Sequence, residues 1–378
     1  MASQLVVLKE AAQETRVAAS PEACGKYIAL GLSVVVQAGA GLHSNFSDTD
    51  YETAGASVVA DIAGALSGAD IVLGVRPPDA ALVGQMKKGA ALIATLEPYQ
   101  NGAIKDYAAS GVQALAMEWM PRITRAQSMD VLSSQSNLAG YKSVLDATSE
   151  YSRALPMMMT AAGTIPAARV FVMGAGVAGL QAVATAKRLG AIVTATDVRR
   201  AAAEQVESLG GTFVMVAQDE DDSGETEGGY AKEMSEDYKK RQAALVAEHI
   251  AKQDIVICTA LIPGRPAPRL VNTAMVESMK AGSVIVDLAA EQGGNCELAK
   301  ANEIVVHNGV RIIAHSNTAG RLAGNASALY ARNLYNFIAA FWNEESAAFT
   351  PDWDDEILQG IGLTRDGQVV HTTLLKQD

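Results

Sequence analysis

A chain of 378 residues that is 49% hydrophobic exceeds the size at which one hydrophobic core keeps growing, so two globular domains are expected. The formal net charge of −12 argues against the clustered basic face that nucleic-acid binding requires. Cys24, Cys258 and Cys296 are odd in number and lack CxxC or Cys/His spacing, and the five histidines are scattered, so neither a disulfide frame nor a metal site is expected.

The N-terminus lacks the basic flank and apolar core of a signal peptide, and no run approaches the ~18 apolar residues of a spanning helix. Strands are predicted near 5–8, 33–37, 70–73, 90–95 and 112–116. Between the first two, a helix runs from Pro21 to Leu30, with Ser20 as N-cap and Pro21 at the first helical position. Gly39-Ala40-Gly41 follows a strand but meets Ser44 where a third glycine belongs, so it carries little weight as a dinucleotide turn. Residues 126 to 153 read as one long connecting helix, with Leu138, Tyr141, Leu145 and Tyr151 in its buried stripe. Further strands are predicted near 169–173, 191–196, 212–216, 254–258, 283–287 and 311–314. A last helix after about 319 runs to Trp342 and packs back on the first domain. The expected fold class is α/β: two Rossmann-like, doubly wound parallel-sheet domains with the active site in a cleft between them. Their boundaries are 1–125 plus about 320–378, and 126–319 for the nucleotide-binding domain.

The strongest chemical signal is Gly174-Ala175-Gly176-Val177-Ala178-Gly179, between a strand ending at Met173 and a helix starting near Val177. Gly174 permits the tight turn, Gly176 admits a pyrophosphate close to the backbone, and Gly179 lets helix and strand pack closely. The helix N-terminus then offers free N–H groups and partial positive charge to phosphate. The next strand ends at Asp197, placed to accept hydrogen bonds from an adenosine ribose and to repel a 2′-phosphate. Arg199 and Arg200 are basic residues of the kind that suits such a phosphate, yet the carboxylate favours NAD(H) over NADP(H).

Longer blocks carry a family resemblance. Met120-Pro-Arg-Ile-Thr-Arg-Ala-Gln-Ser-Met-Asp130, Leu132 to Tyr141, Met157 to Gly163, Thr259 to Gly264 and Gly293-Gly-Asn-Cys296 resemble the NAD(H)-binding component of proton-translocating nicotinamide nucleotide transhydrogenases. The likeness covers nearly the whole chain. It implies that Arg122, Gln127, Asp130 and Ser133 surround the nicotinamide and its ribose, with Ile123, Thr124, Ser128 and Met129 lining that end. It also assigns Gly174, Ala175, Gly176, Val177 and Gly179 to the pyrophosphate, and Asp197, Val198 and Arg199 to the adenosine ribose. Gly229, Gln242 and Leu261 match further contact positions. Tyr230 matches a mobile-loop tyrosine, beside the acidic run Asp219–Asp222 that has the composition of a lid. The implied assembly is a homodimer working with an NADP(H)-binding beta subunit and a membrane-spanning subunit. This chain would then be cytoplasmic, peripheral to the inner membrane without inserting into it.

The nearest rival is the alanine dehydrogenase family, whose reductive amination needs general acid–base residues. That family places a lysine where this chain has Arg76, a histidine where it has Glu97, and an aspartate where it has Glu291. An arginine does not give up its proton. Hydride transfer between two nicotinamides needs no such pair, only apposition and orientation. A third possibility is a non-catalytic regulator that responds to NAD(H). The segment Glu10–Glu14 departs from the lysine- and glycine-richer opening common in the transhydrogenase family, which bears on partner affinity more than on chemistry.

Overall fold

The computed structural model describes residues 2–216, 235–262 and 264–376. Residue contacts divide the chain into two compact units, Met1–Gln135 with Gly320–Asp378, and Ser136–Ala319.

The first unit is built on six parallel strands: β1 (Gln4–Val7), β2 (Ser33–Gln37), β3 (Ser57–Val59), β4 (Ile71–Leu73), β5 (Ala91–Ala94) and β6 (Gln113–Ala116). Their spatial order is β3-β2-β1-β4-β5-β6, the doubly wound arrangement whose direction of winding reverses between β1 and β4. Leu5 and Val7 pack into one core layer while Val6 and Leu8 pack into another, as alternation in a sheet covered on both faces requires. Ser20 caps the Pro21–Ala29 helix by accepting the Ala23 N–H at 3.2 Å, with Pro21 at its start. The Ala323–Ala340 helix buries Tyr330, Leu334 and Phe337 in the first of these layers, so the C-terminal segment belongs to this unit. Gly41 follows β2 as packing: a Cβ there would lie 2.7 Å from the Tyr51 ring.

The predicted 126–153 helix is shorter. A 3-10 turn, Thr124–Met129, precedes an α-helix over Val131–Glu150. The break lies at Asp130, whose extended backbone (ψ 98°) frees its side chain to cap the helix that follows. The buried stripe is also offset: Gly140, Val144 and Ala147 face inward and Tyr141 is exposed, while Tyr151, just past the helix, is buried as expected. Gly140 takes its place in that stripe because the neighbouring Val177–Arg188 helix comes close at Ala178. After it, β7 (Met158–Thr160) and β8 (Gly163–Ile165) form an exposed antiparallel hairpin.

Among the described residues, the main sheet of the second unit has seven strands: β9 (Arg169–Met173), β10 (Ile192–Thr196), β11 (Thr212–Phe213), β12 (Ile255–Cys258), β13 (Val284–Asp287), β14 (Ile304–His307) and β15 (Val310–Ile313). The order is β11-β10-β9-β12-β13-β15-β14, reversing between β9 and β12. All pairs are parallel except β14 with β15, an edge hairpin turning through Asn308-Gly309, both at positive φ. Both units thus have the α/β doubly wound fold class expected from sequence.

Candidate functional site

The turn after β9 is shaped by three glycines and one threonine. Gly174 sits at φ +101°, where a Cβ would meet Thr259 Oγ1 at 2.7 Å. Thr259, just past β12, donates its hydroxyl to the Gly174 carbonyl at 2.9 Å and so ties the turn to the neighbouring strand. Gly179 lies so close beneath that a Cβ would come 1.8 Å from the Gly174 carbonyl oxygen. The Val131–Glu150 helix approaches from another side, with a Gly140 Cβ position 2.0 Å from the Ala178 carbonyl oxygen. Gly176 is different. It caps the Val177–Arg188 helix without any side-chain hydrogen bond, and its Cβ position is open, the nearest atom being Arg199 Nη2 at 3.9 Å. Uncapped N–H groups at the positive end of a twelve-residue helix, reached over a glycine, form an anion cradle.

Asp197 follows β10 and is buried. Its Oδ2 accepts the Ala175 N–H at 2.7 Å and Arg199 Nη2 at 2.8 Å. Oδ1 accepts the Arg199 backbone N–H at 2.8 Å and Nε at 2.9 Å. Four donors fill the acceptor capacity that a ribose would use. Burial raises the pKa of the carboxyl, but the hydrogen bonds and charge of Arg199 outweigh it and hold the group below the usual range. Arg199 is thus turned onto the acid.

Sequence reasoning missed the residues that hold the loop after β12. The buried Asn295 side chain donates to the carbonyls of Ala260 (2.9 Å) and Pro268 (2.8 Å) and accepts the Ala260 N–H at 3.1 Å. Asp287, at the end of β13, accepts the Ala289 and Cys296 N–H groups, both at 2.8 Å, and its burial raises its pKa. Together they brace the segment carrying Leu261, which is exposed. The Gly293–Cys296 block was the available signal, though its role was not. Gln242 lies part-buried on the Glu236–Ile250 helix. Gly229 and Tyr230, and the expected lid around them, lie outside the described residues.

Val198 is part-buried beside Asp197 in the second unit, and the remaining predicted residues belong to the first. Asp130 accepts the Ser133 N–H at 2.9 Å and its hydroxyl at 2.5 Å, so these two are brought together as a helix cap. Ala126 and Met129 anchor the 3-10 turn in the core and Ile123 packs against it. Arg122, Thr124, Gln127 and Ser128 are exposed on the same short segment. The Met120–Asp130 block is therefore a surface array of polar side chains on a buried apolar footing.

Arg76 and Glu97, the positions that separate the two candidate chemistries, form an ion pair. Arg76 Nη1 lies 2.8 Å from Glu97 Oε1 and Nε lies 2.9 Å from Glu14 Oε2. Glu14 also receives Arg16 through Nε and Nη2, both at 2.8 Å. Burial raises the Glu14 pKa, but the Arg16 hydrogen bonds and charge prevail and bring it down to about 2. Among the described residues no three His, Cys, Asp or Glu are grouped to hold a metal ion, and no helix is long and apolar enough to cross a membrane.

Comparison with known proteins adds four findings. The family models for the N-terminal and C-terminal domains of alanine dehydrogenase/PNT match residues 6–139 and 143–372. The chain is 50% identical over 370 residues to an NAD(P) transhydrogenase subunit alpha chain of Rhodospirillum rubrum, covering 96% of each chain. It is similar to a solved transhydrogenase from Sinorhizobium meliloti at 52% identity and TM-score 0.84, covering 98% of this chain and 100% of that one. An L-alanine dehydrogenase structure matches at 25% identity and TM-score 0.81, covering 99% and 98%.

Proposed function

The chain belongs to the alanine dehydrogenase/PNT family of oxidoreductases, and from that premise we propose that it is the NAD(H)-binding subunit of a proton-translocating nicotinamide nucleotide transhydrogenase. The observation that carries this reading is the end-to-end likeness to a transhydrogenase alpha-subunit chain. The Gly174–Gly179 cradle fits a pyrophosphate, since the uncapped helix end supplies donors and the open Cβ position at Gly176 leaves room. Asp197 would hold the adenosine ribose and disfavour a 2′-phosphate, with Val198 beside it and Arg199 giving up some of its contacts to the acid. Gly229, Tyr230, Gln242 and Leu261 would complete that half.

On the first unit, Arg122, Ile123, Thr124, Gln127, Ser128, Met129, Asp130 and Ser133 would attend the nicotinamide end. The bound coenzyme supplies the redox chemistry, exchanging hydride with NADP(H) on the beta subunit. These residues only bind and orient, so no proton-handling pair is needed. A membrane subunit would couple the exchange to proton movement and regenerate NADPH, with this chain peripheral to that membrane. A homodimer is included in the reading, and exposed Met157, Met158, Met159 and Ile165 on and beside the β7–β8 hairpin give it apolar surface to bury. The amino-acid dehydrogenase alternative is disfavoured by the Arg76–Glu97 ion pair, in which neither group stands in for a lysine or histidine acid.

The test is reconstitution. The purified chain, mixed with an NADP(H)-binding transhydrogenase component, should transfer hydride from NADPH to an NAD⁺ analogue, and neither protein should do so alone. NADH oxidation with pyruvate and ammonia would reject the reading in favour of the dehydrogenase, and silence in both assays with NADH still bound would leave a regulator.

A further inference from the structure

Two asparagines on the Ala323–Ala340 helix converge on one carbonyl. Asn333 Nδ2 donates to the Ser128 carbonyl at 2.8 Å and Asn336 Nδ2 donates to the same oxygen at 3.0 Å. Asn333 is 7% exposed, and its Oδ1 accepts the Ser134 hydroxyl at 2.7 Å. One residue further on, Gln135 donates from Nε2 to the Ala326 carbonyl at 3.1 Å. The Asp130–Ser133 cap is therefore bracketed: Ser128 before it and Ser134 and Gln135 after it are all fastened to the same helix.

Such fastening answers a physical need. A 3-10 turn has poor internal hydrogen-bond geometry and rarely persists alone. The Ser128 carbonyl falls in the last turn of such a segment, where helical acceptors lose their partners. Two amide donors occupy its two lone pairs and fix its direction. Without them the apolar footing at Ala126 and Met129 would still hold the segment down but would leave its rotation free, and Gln127 and Asp130 with it.

We propose that Asn333 and Asn336 are positioning residues for the nicotinamide-binding segment, setting the orientation of Gln127 and Asp130 through the Ser128 carbonyl. This rests on the assignment of that segment to the nicotinamide end. Neither asparagine touches the coenzyme itself.

Binding of two ligands by the full chain separates this role from plain stability. NADH engages both ends of the site, whereas ADP-ribose lacks the nicotinamide. In Asn333→Ala and Asn336→Ala, the Kd for NADH should rise by up to about tenfold, the cost of one hydrogen bond, while that for ADP-ribose stays within about twofold. Asn333→Asp retains the acceptor for Ser134 and loses the donor to Ser128, so it should follow Asn333→Ala. Parallel losses for both ligands, unchanged NADH affinity, or an aspartate variant that binds NADH like the parent would overturn the proposal. If Asn333→Ala does not fold, the partly exposed Asn336→Ala decides it alone. A parent chain that bound neither ligand would instead remove the dinucleotide reading, and the inference with it.

Discussion

Two sheets in this chain reverse their winding in the same way, between β1 and β4 in one unit and between β9 and β12 in the other. A doubly wound sheet offers its ligand position at that reversal, outside the carboxyl ends of the strands. In the second unit the position is built for an anion: a glycine turn, a threonine brace and an uncapped helix end. In the first unit it is filled by the protein itself. Glu10 Oε1 accepts the Val75 N–H at 2.6 Å and Oε2 the Arg76 N–H at 3.2 Å, capping the end of β4, while Glu14 clasps Arg16 and Arg76. One topology presents the opportunity twice, and side chains decide where it is taken up.

The largest effect is expected from emptying the first unit's reversal. Glu14→Ala would strip a buried carboxylate from two guanidinium groups and should cost about 3–5 kcal/mol in denaturant unfolding, as single removals from buried pairs do. NADH affinity at constant folded fraction should change little if this cluster is structural. Next in size is Gly179→Ala, whose methyl would lie 1.8 Å from the Gly174 carbonyl oxygen. Overpacking against backbone should cost about 3 kcal/mol and abolish NADH binding. Gly176→Ala is its control: the open Cβ position predicts a near-unchanged Tm with NADH binding weakened at least about tenfold, because the methyl obstructs phosphate rather than protein. Equal Tm losses for the two alanines would contradict the cradle.

Much of this contrast was legible from residue order. Buried β-branched runs marked most parallel strands, and Ser20-Pro21 marked a helix start. The spacing of Gly174, Gly176 and Gly179 fixed the turn, because each glycine answers a local steric demand. Where a feature depended on long-range pairing, local pattern failed. The short β3 has no fully buried residue to advertise it. The edge strand β14 is a short run, Ile304-Val305-Val306-His307, with no fully buried residue, although Asn308-Gly309 is the two-residue turn signal that would have found it. Asp130 has the residue type of a helix cap, but nothing beside it says that it also ends the turn before. Asn333, Asn336 and Asn295 act on carbonyls remote in sequence, and nothing in their neighbourhood announces it.

A smaller effect tests the selectivity assigned to the second unit. Asp197→Asn keeps the side chain's shape but removes the charge that holds Arg199. Fluorescence titration should then show NADH affinity falling and NADPH affinity rising, so that their ratio shifts about tenfold toward the phosphorylated coenzyme. An unchanged ratio would mean that the carboxylate does not select.

A last effect concerns protons on the buried carboxyls of the first unit, Glu118 beyond β6 above all. Burial, the largest influence on Glu118, outweighs the backbone hydrogen bonds to its carboxyl and, with the Glu97 charge, raises its pKa to about 7. Its Oε1 accepts the Leu96 and Glu97 N–H groups at 2.8 and 2.5 Å, while Oε2 is buried with no hydrogen-bond partner. The folded protein therefore holds this proton more tightly than the unfolded chain, where the value is 4.5. The stabilisation is fully present below 4.5 and is lost as pH rises through about 7. Glu10 moves the same way, raised to about 7 chiefly by burial, whereas Glu14 stabilises above 4.5 and fails only as pH falls toward about 2. Glu118→Gln is neutral at every pH, so its stability relative to the parent should improve by about 2–3 kcal/mol between about pH 5 and about pH 8. Parallel stability curves for parent and variant would show that Glu118 keeps an ordinary pKa, and that the buried carboxyls of this unit are accommodated without holding protons.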